Sequence, residues 1–211
     1  MERELLRLSA LIATDGGIYK KRNQIYFDST DTKLIRTFVT TVKDLGIKKV
    51  FVNKGHGTYE AYFYSSVVAN KLLTILGDKK TIPISLIWKL SKQEIAEILR
   101  ILFSTDGGVS FCFSRSERDK KIQFHRKVTF TSKNRKNLHA VHLLLKCFGV
   151  DSKIHENELE IKGYKNLVKF QESIKFLEGV KVTKKSKRWN GLEKNKLLKL
   201  VIQSYRDTHG E

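Results

Sequence analysis

The chain has 211 residues, which is enough for a substantial hydrophobic core in one or two domains. Its composition, with 40% hydrophobic and 30% charged residues, excludes a disordered chain. No apolar run approaches the roughly 20 residues that span a bilayer, and the N-terminus lacks the basic and apolar segments of a signal peptide. We therefore expect an intracellular protein, in the cytoplasm or an organelle matrix, with no membrane partner.

Positive charge dominates the chain, because 41 Lys and Arg stand against 22 Asp and Glu, a net charge of +19. Such an excess indicates a polyanionic partner, and nucleic acid is the first candidate. The alternatives are a thermostable surface rich in Lys and Glu, and an anionic membrane surface. A balanced Lys/Glu surface would not give this net charge, and no strongly basic amphipathic helix stands out. Cys112 and Cys147 have no CxxC spacing and are interpreted as free thiols in a reducing compartment.

The first elements in chain order are a helix and two strands. Leu5, Leu8 and Leu11 at helical spacing predict a helix over residues 2–14, which ends at the sequence TDGG. Period-two alternation then predicts a strand after TDGG and a second strand at 24–28. The same half continues with a helix over 32–45 closed by Gly46, strands at 48–53 and 59–64, and a helix over 66–76.

The same order of elements returns after a short connection at 81–90, which holds the only proline, Pro83. A capping box of Ser91 and Glu94 begins a helix over 92–105, which again ends at TDGG. The elements that follow are strands at 109–114 and 127–131, a helix over 133–148, strands at 153–155 and 158–162, a helix over 164–177, a basic tail, and an amphipathic helix over 192–205.

Each half therefore has the order αββαββα, which predicts an α+β fold of two pseudo-symmetric repeats with antiparallel sheets. Residues 1–80 form the first half, 81–90 the linker, and 91–211 the second half with its basic tail and C-terminal helix. Asp106 lies 91 residues after Asp15, whereas Phe130 lies 103 residues after Phe27. The second hairpin is therefore twelve residues longer, and it includes Arg115, Arg118, Lys120 and Lys121.

A lone Asp-Gly-Gly is most often only a tight turn, but two copies in register, each between a helix and a strand, indicate a shared site. Ser9, Ala10 and Ser104 are small, so the two leading helices can pack closely and bring Asp15 and Asp106 together. Two adjacent carboxylates in such a basic protein suggest a divalent metal site, with Mg²⁺ expected and Mn²⁺ or Ca²⁺ suited to the same ligands. Such a site can activate water for phosphodiester hydrolysis.

The strands predict a nucleic-acid surface. Their apolar residues face the helices, so the alternate residues form an open face, and a β-ribbon of this kind fits the major groove of DNA. In the first half we expect DNA contacts from Tyr19, Lys21, Arg22, Gln24, Tyr26, Asp28, Lys49, Phe51 and Asn53. In the second half and the basic tail we expect them from Ser110, Cys112, Ser114, Arg115, Arg118, Lys120, Lys121, Gln123, His125, Lys127, Thr129, Lys185, Lys187 and Arg188.

The segments LSALIATDG (8–16) and LRILFSTDG (99–107) resemble the nine-residue motif of the LAGLIDADG homing endonucleases, and each precedes that family's ββαββα order. The resemblance covers nearly the whole chain. It implies a monomer of two pseudo-symmetric halves, in which the motif helices pack together and two saddle-shaped sheets straddle double-stranded DNA. Both DNA strands would be cut across the minor groove. A chain without splicing motifs favours an intron over an intein as the host element.

The resemblance also implies roles for individual residues, position by position. The metal ligands and catalytic acids would be Asp15 and Asp106, with the backbone carbonyls of Thr14 and Thr105 in the same metal shells. Polar or basic residues near the scissile phosphates would be Thr30 and Lys133. Basic active-site residues after the third helix would be Lys89 in the first half and Lys184 in the second, with Lys185 as its alternative.

Some residues depart from the family pattern. Thr30 lacks the chemistry of a Lys or Gln, so we expect the two cleavage sites to be unequal. Arg100 stands where a small residue is usual, so we expect a looser crossing of the motif helices. The leading hypothesis is a magnesium-dependent, site-specific DNA endonuclease with a long, asymmetric target. The alternative is a non-cleaving nucleic-acid-binding protein of the same fold, such as an RNA maturase or a transcriptional regulator.

Overall fold

A computed structural model describes residues 2–77, 79–115, 122–183 and 186–209. The first half contains α1 (Glu2–Ala13), β1 (Gly16–Tyr19), β2 (Gln24–Ser29), α2 (Thr32–Asp44), β3 (Phe51–Lys54), β4 (Tyr59–Tyr64) and α3 (Ser66–Leu76). The short helix α4 (Ile84–Ile87) lies in the predicted linker. The second half contains α5 (Lys92–Asp106), β5 (Gly107–Arg115), β6 (Ile122–Thr131), α6 (Arg135–Lys146), β7 (Lys153–His155), β8 (Glu158–Lys162), α7 (Tyr164–Ser173) and α8 (Lys194–His209).

Each half forms one four-stranded antiparallel sheet, and the two sheets have the same strand order. The first is β1-β2-β4-β3 and the second β5-β6-β8-β7. The register is also equivalent, because Gly16 pairs with Phe27 and Gly107 pairs with Phe130. Both phenylalanines are buried on the face that packs on the helices. The predicted α+β fold of two pseudo-symmetric repeats is therefore confirmed.

The two halves meet along α1 and α5, which pack against each other. Ser9 and Ser104 are fully buried on these helices, and their small side chains let the backbones approach. At the N-terminal ends of the helices, the guanidinium of Arg3 lies 2.8 Å from the carboxylate of Glu97. Small buried residues therefore allow α1 and α5 to pack closely, and an ion pair joins the two helices near their N-terminal ends.

Several element boundaries differ from those predicted, and one difference has a clear local cause. The helix expected over 164–177 ends at Ser173, because Arg100 Nε donates to the carbonyl of Ile174 at 2.7 Å and Lys175 then turns the chain with φ of 51°. Arg100 thus contacts the residue that follows α7, and the looser crossing of α1 and α5 that we expect from it stays a prediction. In the part of the chain that the structure describes, no helix has both the length and the apolarity that crossing a membrane requires.

Candidate active site

The two TDGG segments meet where α1 and α5 end. Asp106 is the last residue of α5, and Asp15 follows α1 by two residues. Each is tied to the second strand of its own half, since Asp28 N–H donates to the Asp15 carbonyl and Thr131 Oγ1 donates to the Asp106 carbonyl, both at 3.1 Å. The side chain of Asp15 is exposed and that of Asp106 is half-buried. Because the two helices pack together, both carboxylates lie at the junction of the halves.

The two carboxylates influence each other's charge. Burial, and after it the negative charge of Asp15, raises the pKa of Asp106 from 3.8 to about 7, while Lys194 opposes the rise. Such an influence requires that the carboxylates lie close together. Two neighbouring carboxylates, one exposed and one half-buried, fit a hard divalent cation, which would offset their repulsion. No group of three or more His, Cys, Asp and Glu forms a metal cluster among the described residues, so the remaining ligands would be carbonyls, water and substrate.

The threonines that precede the aspartates use their hydroxyls inside their own helices. Thr14 Oγ1 donates to the carbonyl of Leu11, and Thr105 Oγ1 donates to that of Leu102, both at 2.9 Å. The backbone carbonyls at a helix C-terminus, in contrast, have no partner within the helix. The carbonyl oxygens of Thr14 and Thr105 are therefore the atoms that could complete a metal shell.

The first glycine of each motif lies where the helix end touches the sheet. A methyl group on Gly107 would be 2.4 Å from the carbonyl of Phe103 and 2.9 Å from that of Thr129. A methyl group on Gly16 would be 2.7 Å from the carbonyl of Tyr26. None of the four motif glycines has a positive φ, so their role differs from the tight turn expected of a lone Asp-Gly-Gly. Close backbone approach requires glycine here, and it fixes where each aspartate lies.

Two lysines that the sequence did not single out lie directly behind the motifs. Lys194 Nζ donates to the carbonyls of Ser104 and Gly107, at 2.8 and 2.7 Å. Lys80 Nζ donates to the carbonyl of Gly16, which is the equivalent of Gly107. Both lysines follow the third helix of their half. They therefore hold equivalent carbonyls in the two motifs, one residue after each aspartate.

Lys194 is buried, and burial lowers its pKa to about 8, although Asp31, Asp106 and Asp15 act in the opposite direction. Its ammonium is therefore within electrostatic reach of both motif aspartates. The sequence pattern carried no signal for this role, because Lys194 begins an ordinary amphipathic helix. Only the carbonyls that it contacts, 90 and 87 residues away, distinguish it from the other lysines.

The segments that follow α3 and α7 each cross to the opposite half. After α3, the N–H of Ile82 donates to Asn137 Oδ1 at 2.8 Å, and Asn137 Nδ2 donates to the carbonyl of Lys80 at 3.2 Å. After α7, the N–H of Lys181 donates to Asp31 Oδ2 at 2.9 Å. The segments that lead to Lys80 and Lys194 are therefore each hydrogen-bonded to the opposite half. The position of each lysine beside its motif thus depends on how the two halves pack together.

An open cleft of about 750 Å³ lies beside Asp106, lined also by Thr131, Ser132, Lys133, His155, Glu156, Asn157 and Glu158. Lys133 is exposed on its wall, so the structure brings this predicted residue next to Asp106. Its equivalent Thr30 is exposed but uncharged. Lys89 is exposed after α4, whereas Lys80 makes the contact to the first motif. Lys184 and Lys185 lie outside the described residues.

Comparison with known proteins agrees with this geometry. The family model of the LAGLIDADG-like domain matches residues 2–77 and again residues 93–175. The chain belongs to the LAGLIDADG family. Among curated protein sequences, none matches this chain. One matched segment lies in each half of the fold, and the second ends before α8, so the resemblance seen in the motifs is confirmed.

Solved structures share the fold of this LAGLIDADG protein. I-DmoI in complex with DNA and Ca has a TM-score of 0.58 and 20% identity, over 82% of this chain and 89% of that chain. The N-terminal LAGLIDADG domain of DUF199/WhiA has a TM-score of 0.52 and 18% identity, over 87% of this chain and 85% of that chain. Full-length DUF199/WhiA from Thermatoga maritima has a TM-score of 0.54 and 17% identity, over 97% and 61%.

In this LAGLIDADG protein, most of the predicted DNA contacts of the first half are at least partly exposed: Tyr19, Lys21, Arg22, Tyr26, Asp28, Lys49, Phe51 and Asn53. Gln24 is different, because only 8% of it is exposed. Its register partners on the two neighbouring strands are Tyr19 and Tyr64, so large side chains flank it on both sides. The expectation that Gln24 is accessible to DNA is therefore corrected.

On the second sheet, the predicted contacts that are at least partly exposed are Ser110, Cys112, Ser114, His125, Lys127 and Thr129. Lys127 was expected to contact DNA, but its ammonium pairs with carboxylates of the same sheet. Its ammonium contacts the carboxylates of Glu158, at 2.8 Å, and Glu160. Burial would raise the pKa of Glu160, but Lys127 and Lys162 hold it down at about 2. The charge of Lys127 is therefore largely neutralised within the sheet.

The basic tail is placed differently from the open faces. Lys187 is exposed, whereas the guanidinium of Arg188 stacks on the rings of Phe113 and Trp189, at 5.4 and 4.9 Å from their centres. Phe113 alternates with the residues of the open face, so Arg188 lies on the opposite side of β5 from the predicted DNA surface. Arg118, Lys120 and Lys121 lie outside the described residues, as do the side chains of Arg115 and Gln123.

Proposed function

We propose that this protein is a double-strand DNA endonuclease that hydrolyses phosphodiester bonds with a divalent metal. The observation that carries the proposal is the pair of carboxylates, Asp15 and Asp106, at the ends of two packed helices between two sheets. The net charge of +19 supports a polyanionic substrate. The similarity to I-DmoI, solved with DNA and Ca, supports DNA as that substrate. One chain carries both halves of the site, so we propose that it acts as a monomer.

Asp15 and Asp106, with the carbonyls of Thr14 and Thr105, would hold the cation. We propose Mg²⁺, for which Mn²⁺ or Ca²⁺ can substitute at oxygen ligands. A divalent cation bound there lowers the pKa of water and stabilises negative charge on the leaving oxygen. The motif aspartates must be ionised to bind this cation, and in the metal-free protein burial and Asp15 raise the pKa of Asp106 and disfavour its ionised form.

The lysines around the site do not bind the metal in this proposal. They contact the phosphate or hold the backbone of the motifs. Lys133 stands beside Asp106 on the wall of the cleft, where its ammonium can contact a scissile phosphate. Lys80 and Lys194 hold the carbonyls that follow the two aspartates, which keeps each carboxylate in place. Thr30 offers no positive charge in the first half, so we propose that the two DNA strands are cut at different rates. Lys89 and Lys184 stay candidates for phosphate contacts.

Cleavage of a duplex library in Mg²⁺, followed by mapping of the breaks, tests the proposal. We expect reproducible double-strand cuts by the wild type. Asp15→Asn and Asp106→Asn should abolish them while duplex binding in Ca²⁺ is retained. Asp151→Asn, an exposed aspartate far from the motifs in sequence, is the matched control and should cut normally. Retained cleavage in both motif variants would contradict a metal site at these carboxylates.

A second candidate function is nucleic-acid binding without cleavage, as in a transcriptional regulator that binds DNA or a maturase that binds RNA. The observation that favours it is the buried ammonium of Lys194, which lies near Asp106 and offsets part of the charge that a metal would meet. Duplex binding with no cuts in Mg²⁺ or Mn²⁺, together with no change in thermal stability on addition of either ion, would favour this second function.

A further inference from the structure

The two sheets share one topology, but the side chains on their open faces differ: those of the first sheet are largely aromatic, and those of the second are polar or charged. Five aromatic side chains occupy the open face of the first sheet: Tyr19, Tyr26, Phe51, Tyr62 and Tyr64. By strand register, their equivalents in the second sheet are Ser110, Thr129, Lys153, Glu160 and Lys162. Every aromatic position of the first sheet is therefore polar or charged in the second. We call these five rings the aromatic layer.

The rings of the aromatic layer form two groups on the same open face. Tyr19 and Tyr26 stack with their ring centres 4.7 Å apart, and Phe51 and Tyr62 stack at 5.1 Å. Tyr64 meets Phe51 and Tyr62 edge-on, at 6.1 and 5.8 Å. Tyr19 and Tyr64 are nevertheless half exposed, at 52% and 51%. Five exposed or partly exposed rings on one open face of a sheet indicate a binding surface.

Positive charges border the aromatic layer. Lys20, Lys21 and Arg22 follow Tyr19, the last residue of the edge strand β1, in an exposed turn that leads to β2. At the opposite edge, the ammonium of Lys49 lies 5.1 Å from the centre of the Phe51 ring. An apolar floor between two cationic edges matches a DNA groove, because the edges can meet the two phosphate backbones while the rings meet the bases.

Two carboxylates lie at the inner end of the same face. Asp28 and Glu60 are register partners on β2 and β4, and Asp28 N–H contacts the carbonyl of Asp15. They separate the aromatic layer from the motif aspartates and disfavour phosphate between the two edges. The aromatic layer therefore lies against base pairs in a groove of the DNA, at a distance from the bonds that would be cut.

We propose that the first sheet recognises thymine methyl groups in the major groove of an A·T-rich half-site, while the second sheet recognises its half-site by hydrogen bonds and charge. The inference rests on the proposed DNA binding. The C5-methyl of thymine is the apolar group that base pairs present in the major groove, and aromatic side chains contact it. The stacked pairs already cover one face of each of their rings, which favours groove contacts over stacking with unpaired bases.

Replacing thymine by uracil removes this methyl group and leaves base pairing intact. We would measure binding of the wild type to fluorescent A·T-rich duplexes that contain either thymine or uracil, by anisotropy in EDTA so that no strand is cut. Burying one methyl group is worth about 0.8 kcal/mol, which corresponds to about four-fold in affinity. We therefore expect the thymine duplex to bind at least about four-fold more tightly, because several methyl groups face the layer.

Variants in which residues of the aromatic layer are replaced by their equivalents in the second sheet test whether the rings cause this preference. Tyr19→Ser with Tyr26→Thr should reduce it, because three of the five rings remain, and the single exposed change Tyr64→Lys should also reduce it with no risk to the core. The matched control is Val67→Ser, which removes an exposed apolar side chain from α3 outside the open face and should retain the full preference. Melting curves of all variants verify that they are folded.

Equal binding of the thymine and uracil duplexes by the wild type would overturn the inference. So would a thymine preference that is unchanged in the Tyr19→Ser, Tyr26→Thr variant, or a loss of affinity in that variant for single-stranded oligonucleotides only. A retained thymine preference without any Mg²⁺-dependent cuts would instead overturn the proposed cleavage and leave this inference standing. Absence of duplex binding would overturn both.

Discussion

Asp106→Asn should stabilise the metal-free protein, and more so as the pH rises. Burial and Asp15 raise the pKa of Asp106 from 3.8 to about 7, so between these values the folded chain holds a proton that the unfolded chain has released. Stability from this group is therefore highest at low pH, falls as pH rises through that window, and is level above it. Asparagine has nearly the same shape and no charge, so the stability of the variant does not fall with pH for this reason.

The size of the effect follows from the two pKa values. Raising the pKa from 3.8 to about 7 corresponds to about 4 kcal/mol at most. Asp106 is half-buried rather than fully buried, so we expect about 2 kcal/mol, because solvent screens part of the repulsion. For a chain of this length, about 2 kcal/mol corresponds to roughly 5 °C in Tm.

Urea denaturation in EDTA at several values from pH 5 to 8.5 would measure this. We expect the advantage of Asp106→Asn over the wild type to grow with pH and to level off above about pH 7. Asp151→Asn should show no such trend. Addition of Mg²⁺ should reverse the order, because only the wild type can gain stability from the bound ion. An advantage for Asp106→Asn that is the same at pH 5 and pH 8 would refute the account of Asp106 as a carboxyl destabilised by burial and by Asp15.

Two further predictions concern the packing behind the motifs. Gly107→Ala should destabilise the fold by about 3 kcal/mol or more, because its methyl would be 2.4 Å from a backbone carbonyl, whereas Gly108→Ala should change stability by less than about 1 kcal/mol, since its nearest atom is 3.5 Å away. Similar losses in urea denaturation for both variants would contradict the close-approach explanation. Lys194→Met should cost about 2 kcal/mol by leaving two carbonyls without their donor, and the exposed Lys196→Met should cost almost nothing. If the two lysine variants unfold at the same urea concentration, Lys194 does not support the motifs as described.

Much of the fold could be predicted from the chain alone, because its hydrophobic period changes at each boundary. Strands β4 and β8 and helix α3 have the bounds that alternation and helical spacing predicted. The strand expected from residue 48 begins only at Phe51, and α7 ends at Ser173 rather than residue 177. Periodicity could not show these ends, since a contact to Arg100 from another element decides where α7 stops.

The candidate site divides in the same way. The repeated TDGG and its register led to Asp15 and Asp106 as a pair, because local sequence carries both copies. Lys80 and Lys194 could not be found, since nothing near them in sequence distinguishes them from the other basic residues. Gln24 and Lys127 were predicted on the correct strands. Residues of neighbouring strands nevertheless bury Gln24 and neutralise the charge of Lys127.

By itself, the sequence determined the two-fold repeat, the order of elements in each half, the excess of positive charge and the family. These properties are local or summed over the chain, so they need no knowledge of distant contacts. The tertiary structure alone decided which lysines support the motifs, why the first motif glycine has no room for a side chain, and how far each aspartate is removed from water. It also showed that one open face is aromatic and the other polar. Each of these depends on pairs of residues that are far apart in the chain, and only packing brings them together.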